Sequence, residues 1–316
     1  MDDSNQPHIG VSACLLGQPV RFDGGQKKSR FLLDDCAGFF QFHLVCPEVE
    51  LGMEIPQLAI KLGKFQHQVK RIYSKNPQHD LSHDMQSFSG QRINDLRQLD
   101  GFVFKQDSPS CGPQSVPAYD DISGMQEKNG IGIFASSVRQ MHPLLPVEDE
   151  GRLNDNSIRE NFLERVYAHL RWRNIEHADS NLAGFQDFHQ NYKLMLMAKS
   201  AVASRELGQL VAIASKKNLQ EIRQQYIEKF MQIMQYKATP GQQVNVLMHI
   251  LGYLKSKLDH EDKLELLTWF ENYRQQRVSR VIPMALLQHH FRRYPNDYMA
   301  RQYYFFPFPD ELMQPV

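Results

Sequence analysis

Cysteine is scarce here, and no two of the four residues stand close enough to form a knuckle. Without a CxxC pair the chain cannot build a zinc ribbon. Four thiols scattered over 316 residues also do not resemble the disulfide framework of a small secreted domain. Net charge is missing as well: 36 basic residues balance 36 acidic ones, which removes the global basic excess of many nucleic-acid binders and leaves only local patches for any RNA contact. Those patches are Arg21, Lys27, Lys28 and Arg30, then Lys64, Lys70, Arg71 and Lys75, then Arg292 and Arg293, each equally readable as a solvated face. No apolar run approaches the roughly 18 residues of a membrane span. The opening MDDSNQPHIG is acidic and lacks the apolar core of a secretory signal. The expectation is a cytoplasmic protein with no membrane partner, its thiols reduced and free to act as ligands. GIGIF at 130–134 lacks the third glycine and the acidic residue of a dinucleotide fingerprint, so a Rossmann cofactor is set aside.

What the chain does have is placement. Cys14 closes HIGVSAC, Cys46 closes FFQFHLVC, and Cys111 sits in SPSCG just past GFVFKQD. Each follows an apolar run that reads as a strand, and open α/β sheets bind ligands outside the carboxyl ends of their strands. Three strands ending this way can bring three thiols to one crevice, as ligands for zinc, copper(I) or an iron–sulfur cluster. Any one of these cysteines alone reads as an ordinary buried residue; the three together, each flanked by turn formers, read as a site. Cys36, in LLDDCAGFF, reads as structural. Glu48 stands two residues past Cys46, where partial removal from water and a nearby anionic centre raise a carboxyl pKa and suit it to acid–base work. Ser108, with Ser12 and Ser110, can hydrogen-bond a substrate or a sulfur.

The fold class expected is α/β: a mainly parallel sheet flanked by helices over residues 1–147, then an all-α domain over 148–316. Strands are expected at 8–13, 40–45, 69–73, 101–105 and 131–135, with an amphipathic helix over 82–99. HPLLPVEDEGRLNDNS at 142–157 reads as a linker. Ser157 and Glu160 then form a capping-box pattern. Helices are expected at 158–174, 185–200, 203–216, 218–236, 241–258, 261–276 and 283–295. The tail YYFFPFP at 303–309 reads as packing across those helices, with base stacking as the alternative.

These residues carry a resemblance. VSACLLG, PVRFDGG, VCPEVELGMEIP and SPSCG are similar in order and spacing to the thiouracil desulfidase (TudS) family. NFLERVYAHLRWR, FHQNYKLMLMAKS, LMHILGYLKSKL and PMALLQHHFRRYPNDY resemble the YbgA-type helical domain. The resemblance implies that Cys14, Cys46 and Cys111 ligate a [4Fe–4S] cluster with one open iron, near Glu48 as proton shuttle and Ser108 as orienting group. It further implies non-redox removal of sulfur from a thiolated uracil base or nucleoside, with 4-thiouridine in tRNA as a possible substrate and the helical domain supplying RNA contacts. Two other readings compete. One is a cluster-free desulfidase using an activated cysteine nucleophile. The other is a non-catalytic RNA-binding module with a structural metal, whose fourth ligand would be Cys36 or His43.

Overall fold

The computed structural model describes residues 6–65, 69–73, 80–120, 123–177 and 181–312. It divides into two compact units, 1–162 and 163–316. In chain order the first unit runs β1 (His8–Ser12), β2 (Gln41–Val45), α1 (Pro47–Glu50), β3 (Lys61–Phe65), β4 (Val69–Tyr73) and α2 (Ser82–Arg92). It continues with β5 (Gly101–Phe104), β6 (Val116–Asp120), β7 (Gln126–Gly130), α3 (Ile133–Met141) and β8 (Val147–Asp149). The strands form two sheets. In the first, the order is β2-β1-β5-β8 and every pairing is parallel. In the second, β4-β3-β6-β7, only β3 and β6 run parallel.

The parallel sheet explains the apolar runs. Ile9, Val11, Phe102, Val103 and Phe104 are all fully buried, because strands covered on both faces read as continuous hydrophobic stretches rather than alternating ones. Gly10 belongs to this packing, since a Cβ there would lie 2.3 Å from the Phe102 ring. Phe102 and Phe104 stack at 4.0 Å between centroids, and Phe134 of α3 meets both edge-on.

Several expectations need correction. The 142–157 segment is not a linker: it supplies β8, which pairs with β5 in the main sheet. Residues 131–135 are not a strand; Ile133 begins α3. The 82–99 helix is α2 followed by a 3₁₀ turn from Ile93 to Gln98. Strand 69–73 is present but lies antiparallel in the second sheet. At the start of the next helix the side-chain acceptor is Asp155, whose carboxylate takes the N–H groups of Ser157 and Ile158, two residues before the expected cap.

The second unit is helical. The division falls within α4 (Asn156–His177), followed by α5 (Leu182–Lys199), α6 (Ala201–Ile213), α7 (Leu219–Met234), α8 (Pro240–Leu254), α9 (His260–Arg274), α10 (Val281–Arg293) and the short α11 (Asp297–Ala300). Its core is aromatic: Trp172, Phe185, Phe188, Tyr192, Tyr226 and Phe230 interlock through edge-on and stacked contacts. The aromatic tail packs, with Tyr304, Phe305 and Phe308 buried and Tyr303 beneath the Arg171 guanidinium at 3.8 Å. No helix among the described residues is long and apolar enough to cross a membrane.

Candidate active site

The order β2-β1-β5-β8 has a switch point. The chain leaves β1 to one side to make β2 and later returns to the other side to make β5. In such sheets the connections diverge and leave a crevice at the carboxyl ends of the strands on either side of the switch. The loops that follow β1, β2 and β5 therefore frame one place. A cavity of about 420 Å³ lies there, lined by Cys14, Cys46 and Cys111 together with Glu48, Ser108 and Lys105.

Each thiol arrives by a different local device. Cys14 sits in the 3₁₀ turn Ala13–Leu16 directly after β1. Cys46 is the cap of α1, its N–H donating to Glu50 Oε1 at 3.0 Å. Cys111 is held by Ser108, whose Oγ accepts the N–H of Ser110 at 3.3 Å and of Cys111 at 3.0 Å. That loop then docks on α3. The N–H groups of Gly132, Ile133, Phe134 and Ala135, which would otherwise lack partners at a helix start, donate to carbonyls of Gly112, Pro109 and Ser110. Gly132 is what allows the approach, because a Cβ there would stand 2.5 Å from the Ser110 carbonyl oxygen. The GIGIF stretch thus seats the Cys111 loop.

Burial dominates the electrostatics. Desolvation pushes the Cys14 thiol up to about 11 against a pull from Lys105, raises Cys46, and raises Cys111 well above the thiol range despite a hydrogen bond from Ser12. Glu48 is raised by burial, opposed by two hydrogen bonds: Ser110 Oγ donates to Oε1 at 2.7 Å and Gln57 Nε2 to Oε2 at 2.6 Å. Ser108 has both amides on its oxygen, so what it offers the cavity is its O–H. Cys36 is fully buried and, like His43, is absent from the cavity lining. His43 instead shares a 3.0 Å hydrogen bond with His8. The side chains of Lys64, Lys70, Arg71 and Lys75 lie outside the described residues.

Three participants were not found by reading the sequence. Lys105, the first residue past β5, lines the cavity and pairs with Glu150; its signal was a lone cation at the end of a buried apolar strand. Glu150 was hidden in the segment read as a linker. Gln57 reaches Glu48 from a stretch with no motif of its own.

The cavity at the switch point of this parallel sheet thus brings together three thiols, a desolvated carboxyl group and an ion-paired lysine, a donor set capable of soft-ligand or sulfur chemistry. Residues 9–150 match the family model described as 2-thiouracil desulfurase, and residues 193–309 match that of a protein of unknown function, DUF1722. The uncharacterized protein YbgA of Escherichia coli (strain K12) is 28% identical over 144 residues, covering 45% of this chain and 85% of YbgA. A solved structure described as the [4Fe-4S]-dependent thiouracil desulfidase TudS is 26% identical, covering 48% of this chain and 95% of that one, with a TM-score of 0.38. The chain thus joins a segment similar to 2-thiouracil desulfurases to one similar to YbgA.

Proposed function

We propose that the protein is a non-redox desulfidase acting on a thiolated uracil, as free base, nucleoside or 4-thiouridine in tRNA, with a three-cysteine [4Fe–4S] cluster. The observation that carries this reading is the convergence of Cys14, Cys46 and Cys111 on one cavity with Glu48, together with the match of residues 9–150 to the 2-thiouracil desulfurase model.

The donor set fits the group. Three thiols are a soft set, and Ser12 lines the cavity beside them, where a hydroxyl is suited to hydrogen-bond a cluster sulfur. Among the described residues no three His, Cys, Asp or Glu side chains gather around a single-ion point. Cys14, Cys46 and Cys111 would each supply one thiolate to the cluster. When bound, such a cluster supplies a Lewis-acidic iron with a free position for a thio sulfur.

The chain's own residues do the rest. Overall, C=S and water give C=O and hydrogen sulfide, with no electrons gained or lost. Glu48, held by Ser110 and Gln57 and raised by burial, takes a proton from water and returns it to the departing sulfur. Ser108 directs its hydroxyl proton at the substrate. The cysteine-nucleophile reading needs one activated thiol and a resolving partner, whereas three thiols line this cavity together. The structural-metal reading lacks its fourth ligand, as neither Cys36 nor His43 reaches the cavity.

The test is iron and acid-labile sulfide per chain after anaerobic purification, in wild type and Cys14→Ala, with 4-thiouracil turnover on the same samples. Cluster stoichiometry and turnover in wild type, both lost in the variant, is the expected result. Turnover by an iron-free wild type would overturn the cluster.

A further inference from the structure

The cavity contains a cation whose presence the desulfurisation step does not require. Lys105 leaves β5 at the switch point, and its side chain is only 18% exposed. An ammonium has three N–H donors. One goes to Glu150 Oε1 and a second to the Gln106 carbonyl oxygen at 3.0 Å. Glu150 is itself fixed, because its other oxygen accepts the Gln106 N–H at 2.6 Å. The backbone of Lys105 is fixed too, its N–H donating to Ser12 Oγ at 3.0 Å. An ion pair anchored on both sides in a partly buried wall is stiff, and a stiff donor recognises where a flexible surface lysine would not.

Of the other charged and amide side chains that line the cavity, Arg21 pairs with Asp23, Gln106 donates to Asp107, and Lys27 is exposed. Ser12 is engaged by the backbone N–H of Lys105. Ser108 has its O–H left, and Glu48 handles protons. A thiolated uracil carries one exocyclic sulfur and one exocyclic oxygen. With the sulfur turned toward the three-cysteine end of the cavity, the oxygen is a strong acceptor entering a desolvated space, where leaving it unpaired is costly.

We infer that Lys105, anchored by Glu150, is the specificity-determining residue of this site: its third N–H donates to the exocyclic oxygen of the substrate and so selects a ring bearing both a thiocarbonyl and a carbonyl. This rests on the desulfidase reading above. The recognition is of a carbonyl oxygen, and a thio-heterocycle without one is the discriminated competitor.

The experiment compares 4-thiouracil with pyrimidine-4-thione, which lacks the 2-oxygen, on reconstituted full-length protein. Affinity for the corresponding products, uracil and pyrimidin-4-one, is measured alongside. A hydrogen bond from a charged donor predicts that wild type prefers the oxygen-bearing substrate by roughly 10- to 100-fold in kcat/KM, and its product by a similar factor in Kd. Lys105→Met should bring both ratios close to one while iron content stays at the wild-type level. Because that variant leaves Glu150 partly buried without its partner, the double variant Lys105→Met/Glu150→Gln, which removes both charges, is measured in parallel. A preference that survives in either loaded variant, or a loss that is equal for both substrates, overturns the inference, as does iron loss in both. Wild type that acts on both substrates without preference overturns it while leaving the desulfidase reading intact. Wild type that neither binds nor converts either compound overturns both.

Discussion

Ser110 Oγ donates to Glu48 Oε1 at 2.7 Å across 62 positions of sequence, tying the loop that carries Cys111 to the segment that carries Cys46. The bond positions the carboxyl group and braces two thiol-bearing loops against each other. Replacing Glu48 with Gln removes the proton carrier while keeping the amide able to bond Ser110. Activity should fall by about 10²–10⁴ in kcat, the usual range for a general acid–base group, with iron content kept. Ser110→Ala removes one of two hydrogen bonds to the carboxyl, worth about 1.5–3 kcal/mol when the acceptor is charged, so a loss of roughly tenfold or more is expected. Steady-state kinetics on iron-matched samples checks both, and an unaffected Glu48→Gln enzyme would remove Glu48 from the reaction.

Gly132 should tolerate no side chain. A Cβ would stand 2.5 Å from the Ser110 carbonyl oxygen and 2.9 Å from the Cys111 nitrogen, both of them backbone atoms that cannot swing aside. Gly132→Ala therefore has to push the Cys111 loop off α3. Overpacking of this kind costs about 1–3 kcal/mol, and the displaced thiol should lower iron loading along with the melting temperature. Full iron loading at an unchanged melting temperature would mean that the loop is seated by something else.

Cys36→Ala separates a structural thiol from a ligand. Cys36 is fully buried at the end of the Phe31–Asp35 helical turn, with its thiol raised by burial. Losing its sulfur should cost about 1 kcal/mol, in line with small truncations in a core. Iron content and turnover should be unaffected. Loss of metal in this variant would restore the reading in which Cys36 completes a closed site.

The sequence made the main sheet legible where strands are long and buried on both faces. HIGVS and GFVF announce themselves because every residue in them packs or pairs. β8 was missed for the opposite reason: three residues, Val147–Asp149, sit among prolines and acidic residues, and its place in the sheet comes from pairing with β5 rather than from local preference. Ile131 and Ile133 mimic a strand's alternation, but the carbonyls of the Cys111 loop satisfy the N–H groups of the helix that starts there. The cysteines and Glu48 stood out by chemical type and by position after strands. Gln57, Lys105 and Glu150 did not, because what they do depends on partners brought close only by the fold. The helices of the second unit were readable from periodicity, whereas its interlocked aromatic core had to be seen in three dimensions.

His189 gives the helical unit a pH dependence of known sign. Its half-buried ring packs edge-on against Tyr226, with Nδ1 3.1 Å from that hydroxyl, and burial, aided by Lys193, lowers its pKa to about 4. The folded state therefore favours the neutral ring, while the unfolded chain protonates near 6.5. Above that pH neither state holds the proton and the full stability is present. As pH falls from about 6.5 toward 4, the unfolded state gains a proton that the folded state refuses, and stability is lost. The shift corresponds to about 3 kcal/mol at most, and partial exposure of the ring brings it nearer 2. Both tryptophans, Trp172 and Trp269, lie in this unit, so urea unfolding followed by their fluorescence reads it directly. Carboxylates titrate in the same window, so the informative quantity is the difference between wild type and His189→Gln, which keeps a polar partner for Tyr226 but cannot take the proton. That difference should shift against wild type by about 2 kcal/mol between pH 7 and pH 4, and parallel curves would show that His189 is not held neutral by the fold.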